Sequence, residues 1–193
     1  KDTLSLDDVV NSQPICSPLS KLDCCLVTDG GGAVVLSNTD RLNDANNEPI
    51  FIKGIAETSS HSSINYMEDM AILDVAIKTS TDAYKMAKIS SKEIDFAMIY
   101  DSFTITVLLS LEALGFCKIG EGKDLVQNGN LGPSGSFPIN TNGGGLSYCH
   151  PGMYSIFTLI EACRQLWKKC GKRQLKKELV NVLCQGTGGV LSS

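Results

Sequence analysis

The chain has 193 residues, 42% of them apolar, which suits one domain with a real core, or one domain and a fragment. Its formal net charge of −4 argues against a broad attraction to nucleic acid or to an anionic membrane surface. Eight cysteines are many for this length, yet their spacing is not a disulfide framework and no C-x-x-C pair offers a zinc site, so free thiols in a reducing compartment are expected.

Residues 1–30 read as irregular and punctuated by Pro14 and Pro18, with Leu4, Leu6 and Val9 continuing a pattern already under way. A strand is predicted over 33–36, entered through Asp29-Gly30-Gly31-Gly32, and a second over 49–56 with Phe51, Ile52 and Ile55. The polar stretch 39–48 between them is a short helix or a loop. Over 70–89 the residues Leu73, Ala76, Ile77, Ala83, Met86 and Ala87 recur near helical spacing. The continuous apolar run 96–100 has strand length and suits a strand buried on both faces. It passes into a predicted helix over 102–116, where Leu108, Leu111 and Leu114 stay in phase and Gly115 sits near the stop. A glycine-rich loop covers 117–136. After 137–140 comes a Gly143-Gly144-Gly145 turn and a helix over 151–170, with Pro151 suited to its first turn. The last strand is predicted over 180–184, followed by the Gly186-Thr187-Gly188-Gly189 turn. Short apolar strands alternating with helices predict an α/β domain with a mixed sheet layered with helices. The longest apolar run, 105–116, is too short to span a bilayer and carries Glu112, and no signal-peptide pattern opens the chain. A soluble cytoplasmic protein is therefore expected, with no membrane partner.

Chemistry is expected in three loops that follow a strand or enter a helix: 100–103, 140–152 and 184–189. Ligands in α/β proteins gather at the carboxyl ends of strands, and glycines let backbone N–H groups approach them. His150, followed by Pro151 and Gly152, can donate to a developing oxyanion or can be a hydrogen-bonded structural histidine. Cys184 can cycle a proton if its pKa drops from about 8.5, or it can be a buried inert thiol. Tyr100 and Tyr148 either pack or handle a proton. Asp101 can cap the helix that follows it. His61, in a serine-rich loop, reads as structural. The cluster of Lys168, Lys169, Lys172, Arg173, Lys176 and Lys177 reads as a solvated helix end. No nucleotide-binding glycine motif, metalloprotease motif or paired-carboxylate motif is present, so no metal is implied.

Together, in this order and spacing, the three loops resemble the C-terminal half of thiolases, most of all the sterol-carrier-protein type and its lipid-transfer-like bacterial relatives. The resemblance runs along nearly the whole chain. It implies that residues 1–30 are the end of the thiolase loop domain and that 31–193 are the thiolase-like C-terminal domain, the N-terminal half being absent. Cys149-His150-Pro151 resembles the Gly-His-Pro loop without its glycine, so His150 is implied to activate a nucleophile and line an oxyanion hole. Cys184-Gln185-Gly186 resembles the Cys-x-Gly loop, implying a proton-shuttling Cys184 and a Gly186 N–H in a second oxyanion hole. Tyr100-Asp101-Ser102-Phe103 resembles the His-Asp-Cys-Phe loop, with Tyr100 replacing the residue that holds a water. The acylated cysteine of thiolases lies in the N-terminal half, and no other cysteine here stands in a matching motif. The resemblance thus implies an acyl-CoA acyltransferase in lipid metabolism that needs its N-terminal half, takes a coenzyme A thioester as substrate and holds no permanent cofactor. One alternative is a thiolase-like retro-aldolase for a branched β-hydroxyacyl-CoA, as in steroid breakdown, in which Tyr148 or Tyr100 handles the proton and a small OB-fold protein is the partner. Another is a non-catalytic acyl-CoA or lipid-binding module. The family further implies a homo-oligomer.

Overall fold

The computed structural model describes residues 3–44 and 47–192. In chain order it contains α1 (Leu6–Val10), β1 (Pro14–Cys16), β2 (Leu19–Ser20), α2 (Asp74–Ala87), β3 (Phe96–Met98), α3 (Thr104–Ala113), the single turns α4 (Gly122–Leu125) and α5 (Gly144–Ser147), α6 (Ser155–Leu166) and β4 (Val182–Cys184). The first two strands form a small antiparallel hairpin.

The apolar run that begins β3 is fully buried, with Phe96, Ala97, Met98 and Ile99 all at 0% exposure. Successive side chains of a strand point to opposite faces. Phe96 and Met98 therefore pack with Ala162 of α6 and with Leu175. Ala97 and Ile99 pack on the other side with Leu111 of α3 and with Leu114. This is a helix–sheet–helix sandwich. β4 pairs with β3 in parallel, Phe96 opposite Val182 and Met98 opposite Cys184. On the other edge Ala97 makes a parallel bridge to Ile139. The ladder is continued by a side chain: Asn140 Oδ1 accepts from the Ile99 N–H at 2.8 Å and its Nδ2 donates to the Ile99 carbonyl at 2.9 Å. Asn140 itself takes φ +46°, a left-handed conformation that asparagine tolerates better than most residues.

Helix α2 lies on α3, with Leu73 and Ala76 against Ala113. The Tyr84 hydroxyl donates to the Leu114 carbonyl at 3.0 Å. The three long helices fall inside the predicted ranges with their ends trimmed. Pro151 stands ahead of α6 rather than in its first turn.

The two strands predicted over 33–36 and 49–56 do not form: neither segment joins a ladder among the described residues. Val35 is 93% exposed and Ile52 62%, so their apolar side chains have no sheet to bury against. Lys53 Nζ donates to Asn181 Oδ1 at 2.7 Å, and glycines let the backbone come close to the helices. A Cβ at Gly32 would come within 2.5 Å of Ile160 Cδ1 on α6, and one at Gly54 would overlap the Ala83 carbonyl on α2. Residues 39–44 form a 3-10 stretch, in line with the short-helix alternative, while residues 45 and 46 lie outside the described residues.

The back of α6 is polar and buried. Glu161 is 3% exposed and accepts from Thr141 Oγ1 at 2.8 Å and from Arg173 Nη2 at 3.0 Å. Gln165, 1% exposed, accepts from the Leu175 N–H at 3.1 Å and donates to the Arg173 carbonyl at 2.9 Å. Arg173 is thus a structural partner, not only part of a solvated basic end. Burial opposes ionisation of Glu161, but the bonds from Arg173 and Thr141 outweigh it and hold the carboxyl below its ordinary value. Such a lowered carboxylate stabilises the fold above its unfolded pKa, and the gain is lost as pH falls. Arg173→Ala should therefore cost roughly 1.5–3 kcal/mol at pH 7, with the deficit shrinking below the carboxylate range. Urea unfolding at several pH values checks this; an unchanged midpoint at pH 7 would count against it.

Candidate active site

The carboxyl ends of β3 and β4 are tied together just beyond their last paired residues. The Gln185 N–H donates to the Met98 carbonyl at 2.8 Å, and Gln185 Oε1 accepts from the Tyr100 N–H at 2.9 Å. This aims Tyr100 at the segment leading into α6. Its ring meets His150 edge-on, with centroids 5.4 Å apart, and Tyr154 at 5.5 Å. His150 and Tyr154 stack at 5.9 Å. The backbone N–H of His150 donates to Thr28 Oγ1 at 2.9 Å, which anchors the loop from the amino-terminal side.

Two buried side-chain polar atoms among the described residues lack a hydrogen-bond partner, His150 Nε2 and Tyr154 Oη, and both belong to this ring cluster. Buried polar atoms are rarely left so. Burial raises the Tyr154 phenol well above its usual range, with the Asn142 side chain opposing the rise. Burial also raises Tyr100, helped by Cys25 and Asp101 nearby. Both phenols therefore stay protonated at neutral pH. Sequence reading missed Tyr154: a tyrosine four residues after a histidine carries no signal until the turn at 151–154 stacks the two rings.

Asp101 does not cap the helix. The cap of α3 is Phe103, whose N–H donates to Thr106 Oγ1 at 3.2 Å. Asp101 is 3% exposed and reaches across to the glycine turn, where Oδ1 accepts from the Gly145 N–H at 2.6 Å and Oδ2 from the Leu146 N–H at 3.3 Å. The approach is close enough to require glycine at 144, where a Cβ would overlap the carboxylate and φ is +63°. Burial pushes Asp101 up to about 6, against the bonds from Gly145 and Leu146 that favour its ionised form.

Cys184 ends β4 on the sheet face that meets α6. Its Sγ lies 3.6 Å from the Thr158 carbonyl, and the residue packs against the cluster of Phe96, Met98, Ala162 and Leu175. Burial pushes the thiol up to about 12, away from the lowered value that proton cycling asks for. Gly186 passes over the start of α6, where a Cβ would fall 2.6 Å from Ser155 Oγ. Tyr148 stands further out. It is 50% exposed and edge-on to Phe157 at 6.2 Å, which in turn stacks on Tyr154 at 6.1 Å. Beside it opens a cleft of about 300 Å³ between Asn142, Phe157, Ile160, Arg164 and Arg173. The fold thus brings Tyr100 and His150 into ring contact and sets Cys184 and Gly186 against α6. Tyr148 is linked to them through two aromatic rings. His61 Nδ1 lies 2.7 Å from Ser60 Oγ in its own loop. Among the described residues no group of histidines, cysteines and carboxylates could hold a metal ion, and no helix is long and apolar enough to cross a membrane.

A family model described as thiolase C-terminal domain-like matches residues 56–193. An acetyl-CoA acetyltransferase of Methanothermobacter thermautotrophicus is 31% identical over 189 residues, covering 96% of this chain and 49% of that protein. A steroid side-chain-cleaving aldolase of Thermomonospora curvata is 36% identical over 167 residues, covering 83% of this chain and 42% of that protein. Among solved structures, one titled Ltp2-ChsH2(DUF35) aldolase superposes with a TM-score of 0.85 at 32% identity, over 93% of this chain and 47% of that one. The chain spans about half the length of the curated relatives it matches.

Because the folded pKa of Asp101 lies above its ordinary 3.8, the folded state holds the proton between about pH 4 and 6, and stability from this group falls as pH rises through that window. The ionised form costs about 3 kcal/mol by this shift. Asp101→Asn should therefore gain on the natural chain as pH rises from 4 to 7. The measurement is the difference in urea midpoint between the two proteins; a gap that does not change with pH would contradict it.

Proposed function

Because the chain belongs to the thiolase C-terminal domain-like family, we propose that it forms one half of an enzyme acting on the bond between the α and β carbons of a coenzyme A thioester. Within that chemistry we assign it the retro-aldol cleavage of a branched β-hydroxyacyl-CoA ahead of acyl transfer. The observation that carries this order is the position of the Cys184 thiol, half-buried against α6 with Sγ 3.6 Å from the Thr158 carbonyl, where desolvation raises its pKa. Thiolase-type proton cycling needs that thiolate. Retro-aldol cleavage does not.

In the cleavage, the β-hydroxyl gives up its proton, the bond between the α and β carbons breaks, and its electron pair moves into the thioester to form an enolate. The β carbon leaves as a carbonyl compound, and the enolate carbon then takes a proton. His150 is assigned to donate from Nε2 to the enolate oxygen, an interaction worth a few kcal/mol when preorganised. Tyr100, kept protonated by burial, is suited to give the proton to the enolate carbon. Tyr148, on the rim of the cleft and half exposed, is assigned to relay the hydroxyl proton to solvent, and solvent returns one to Tyr100 after it has protonated the enolate carbon. Tyr154 supports the histidine by stacking and brings a second hydroxyl into the same ring cluster. The 36% identity to a steroid side-chain-cleaving aldolase supports this reading. Residues 1–30 then read as the end of a loop domain. This reading calls for an upstream half, a second copy of the assembly and a small OB-fold protein as partners.

The second reading is acyl transfer, with Cys184 as the proton shuttle and the Gly186 N–H in an oxyanion hole. It is favoured by the retained Cys184-Gln185-Gly186 loop and by the 31% identity to an acetyl-CoA acetyltransferase over nearly the whole chain. It needs a nucleophilic cysteine from the upstream half.

The test uses the complete assembly, with a branched β-hydroxyacyl-CoA and a β-ketoacyl-CoA as alternative substrates. Cys184→Ala should keep cleavage within about threefold of the natural protein, whereas Tyr100→Phe should lower kcat by roughly 100-fold. Tyr148→Phe should also slow cleavage. Thiolysis of the β-ketoacyl-CoA that disappears in Cys184→Ala, with no cleavage of the hydroxy substrate, would establish the second reading instead.

A further inference from the structure

A buried carboxylate without a cation is expensive, and a fold keeps one only where the charge performs a task. The groups facing Asp101 are Cys25 from the segment at 24–28, Tyr100 from its own loop, Tyr154 from the turn before α6 and the Asn140 side chain at the edge of the sheet. None of these four carries a positive charge. The two carboxylate oxygens are instead spent on main-chain N–H groups of Gly145 and Leu146. An asparagine would accept only one of them and turn its own N–H groups toward the other.

Those N–H groups belong to the turn on which the imidazole rests. A Cβ at Gly145 would stand 2.6 Å from His150 Cδ2, so the bare backbone of Gly145 touches the ring beside Nε2, the atom without a partner. The same residue is held from its other side, where the Gly145 carbonyl accepts from the Leu26 N–H at 2.9 Å. The following turn closes on itself through the Tyr148 N–H to the Gly144 carbonyl at 3.0 Å.

We propose that Asp101 is a positioning residue for His150: its two oxygens fix the Gly145–Leu146 backbone, and that backbone sets the direction of Nε2. The inference rests on the reading of His150 as the oxyanion donor. Asp101 does not touch the thioester. It acts through a peptide group, and its ionised form accepts from the two N–H groups more strongly than the acid does.

The test is made on the complete protein, with spectra recorded without substrate and rates measured with it. The ring signals of His150 are followed by nuclear magnetic resonance and assigned by their loss in His150→Gln. In Asp101→Asn at pH 7.5 these signals should shift or split into more than one set, while those of His61 stay in place. The urea midpoint should not fall, and kcat on the β-hydroxyacyl-CoA should drop about 10–100-fold with KM within about threefold, as expected for a misaimed donor. Should Asp101→Asn fail to fold, Asp101→Glu is the second probe: its longer side chain keeps the charge but displaces the turn, and it should move the His150 signals too. Unchanged His150 signals in whichever variant folds would overturn the proposal, as would a loss of rate accompanied by a lowered midpoint and displaced signals throughout the protein. Signals that move as expected in a protein that cleaves no coenzyme A thioester would leave the positioning role standing and count against the retro-aldol reading.

Discussion

Phe96 and Met98 on one face of β3, and Ala97 and Ile99 beside them on the other, are all removed from water. A strand with no wet face must have a helix on each side, and α6 and α3 take those places. Parallel pairing with β4 then brings the carboxyl ends of the two strands to the same edge of the sheet, where Tyr100 and Gln185 emerge side by side. The start of α6 lies over that edge because its middle is pinned to Phe96 and Met98 through Ala162. The ring cluster of Tyr100, His150 and Tyr154 follows from this geometry.

The sheet is short, and side chains finish what the backbone leaves open. Asn140 pairs with both main-chain groups of Ile99, and Gln185 accepts from Tyr100. Asp101 does the same for the glycine turn. The two buried carboxylates differ in kind. Glu161 has Arg173 and sits below its ordinary pKa, so it belongs to the stability of the back of α6. Asp101 has amides, phenols and a thiol around it but no cation, and sits above its ordinary value, so its charge is a cost carried at the edge of the site. The unpaired Nε2 of His150 and hydroxyl of Tyr154 are a cost of the same sort. Locally unfavourable arrangements concentrated in one place, within an otherwise satisfied fold, mark that place as functional.

Much of the framework was legible from neighbouring residues alone. The helical spacing from Leu73 to Ala87, the apolar run at 96–99 and the glycines at 143–145 each announce their element through a period or a conformational need that holds within a few residues. That Tyr100 and His150 come into ring contact follows only from the fold. The stretches at 33–36 and 49–56 look like strands by composition, but a strand is completed by its partner, and here these segments rest on α6 and α2 through Gly32 and Gly54. Cys184 at a strand end beside glycines leaves a proton-cycling thiol and a packed inert one both open, and only the tertiary structure shows α6 packed over it with the thiol half-buried. Asp101 before a helix reads as a cap until the turn 44 residues away supplies its N–H partners.

The sequence by itself determined the three long helices and the doubly buried central strand, because periodicity is a local property, and the resemblance of its three loops pointed to the family. The tertiary structure alone decided which ionisable groups face one another, which thiol α6 covers, and that Tyr154 joins His150. Burial and pairing are set by residues far apart in the chain, and protonation follows burial.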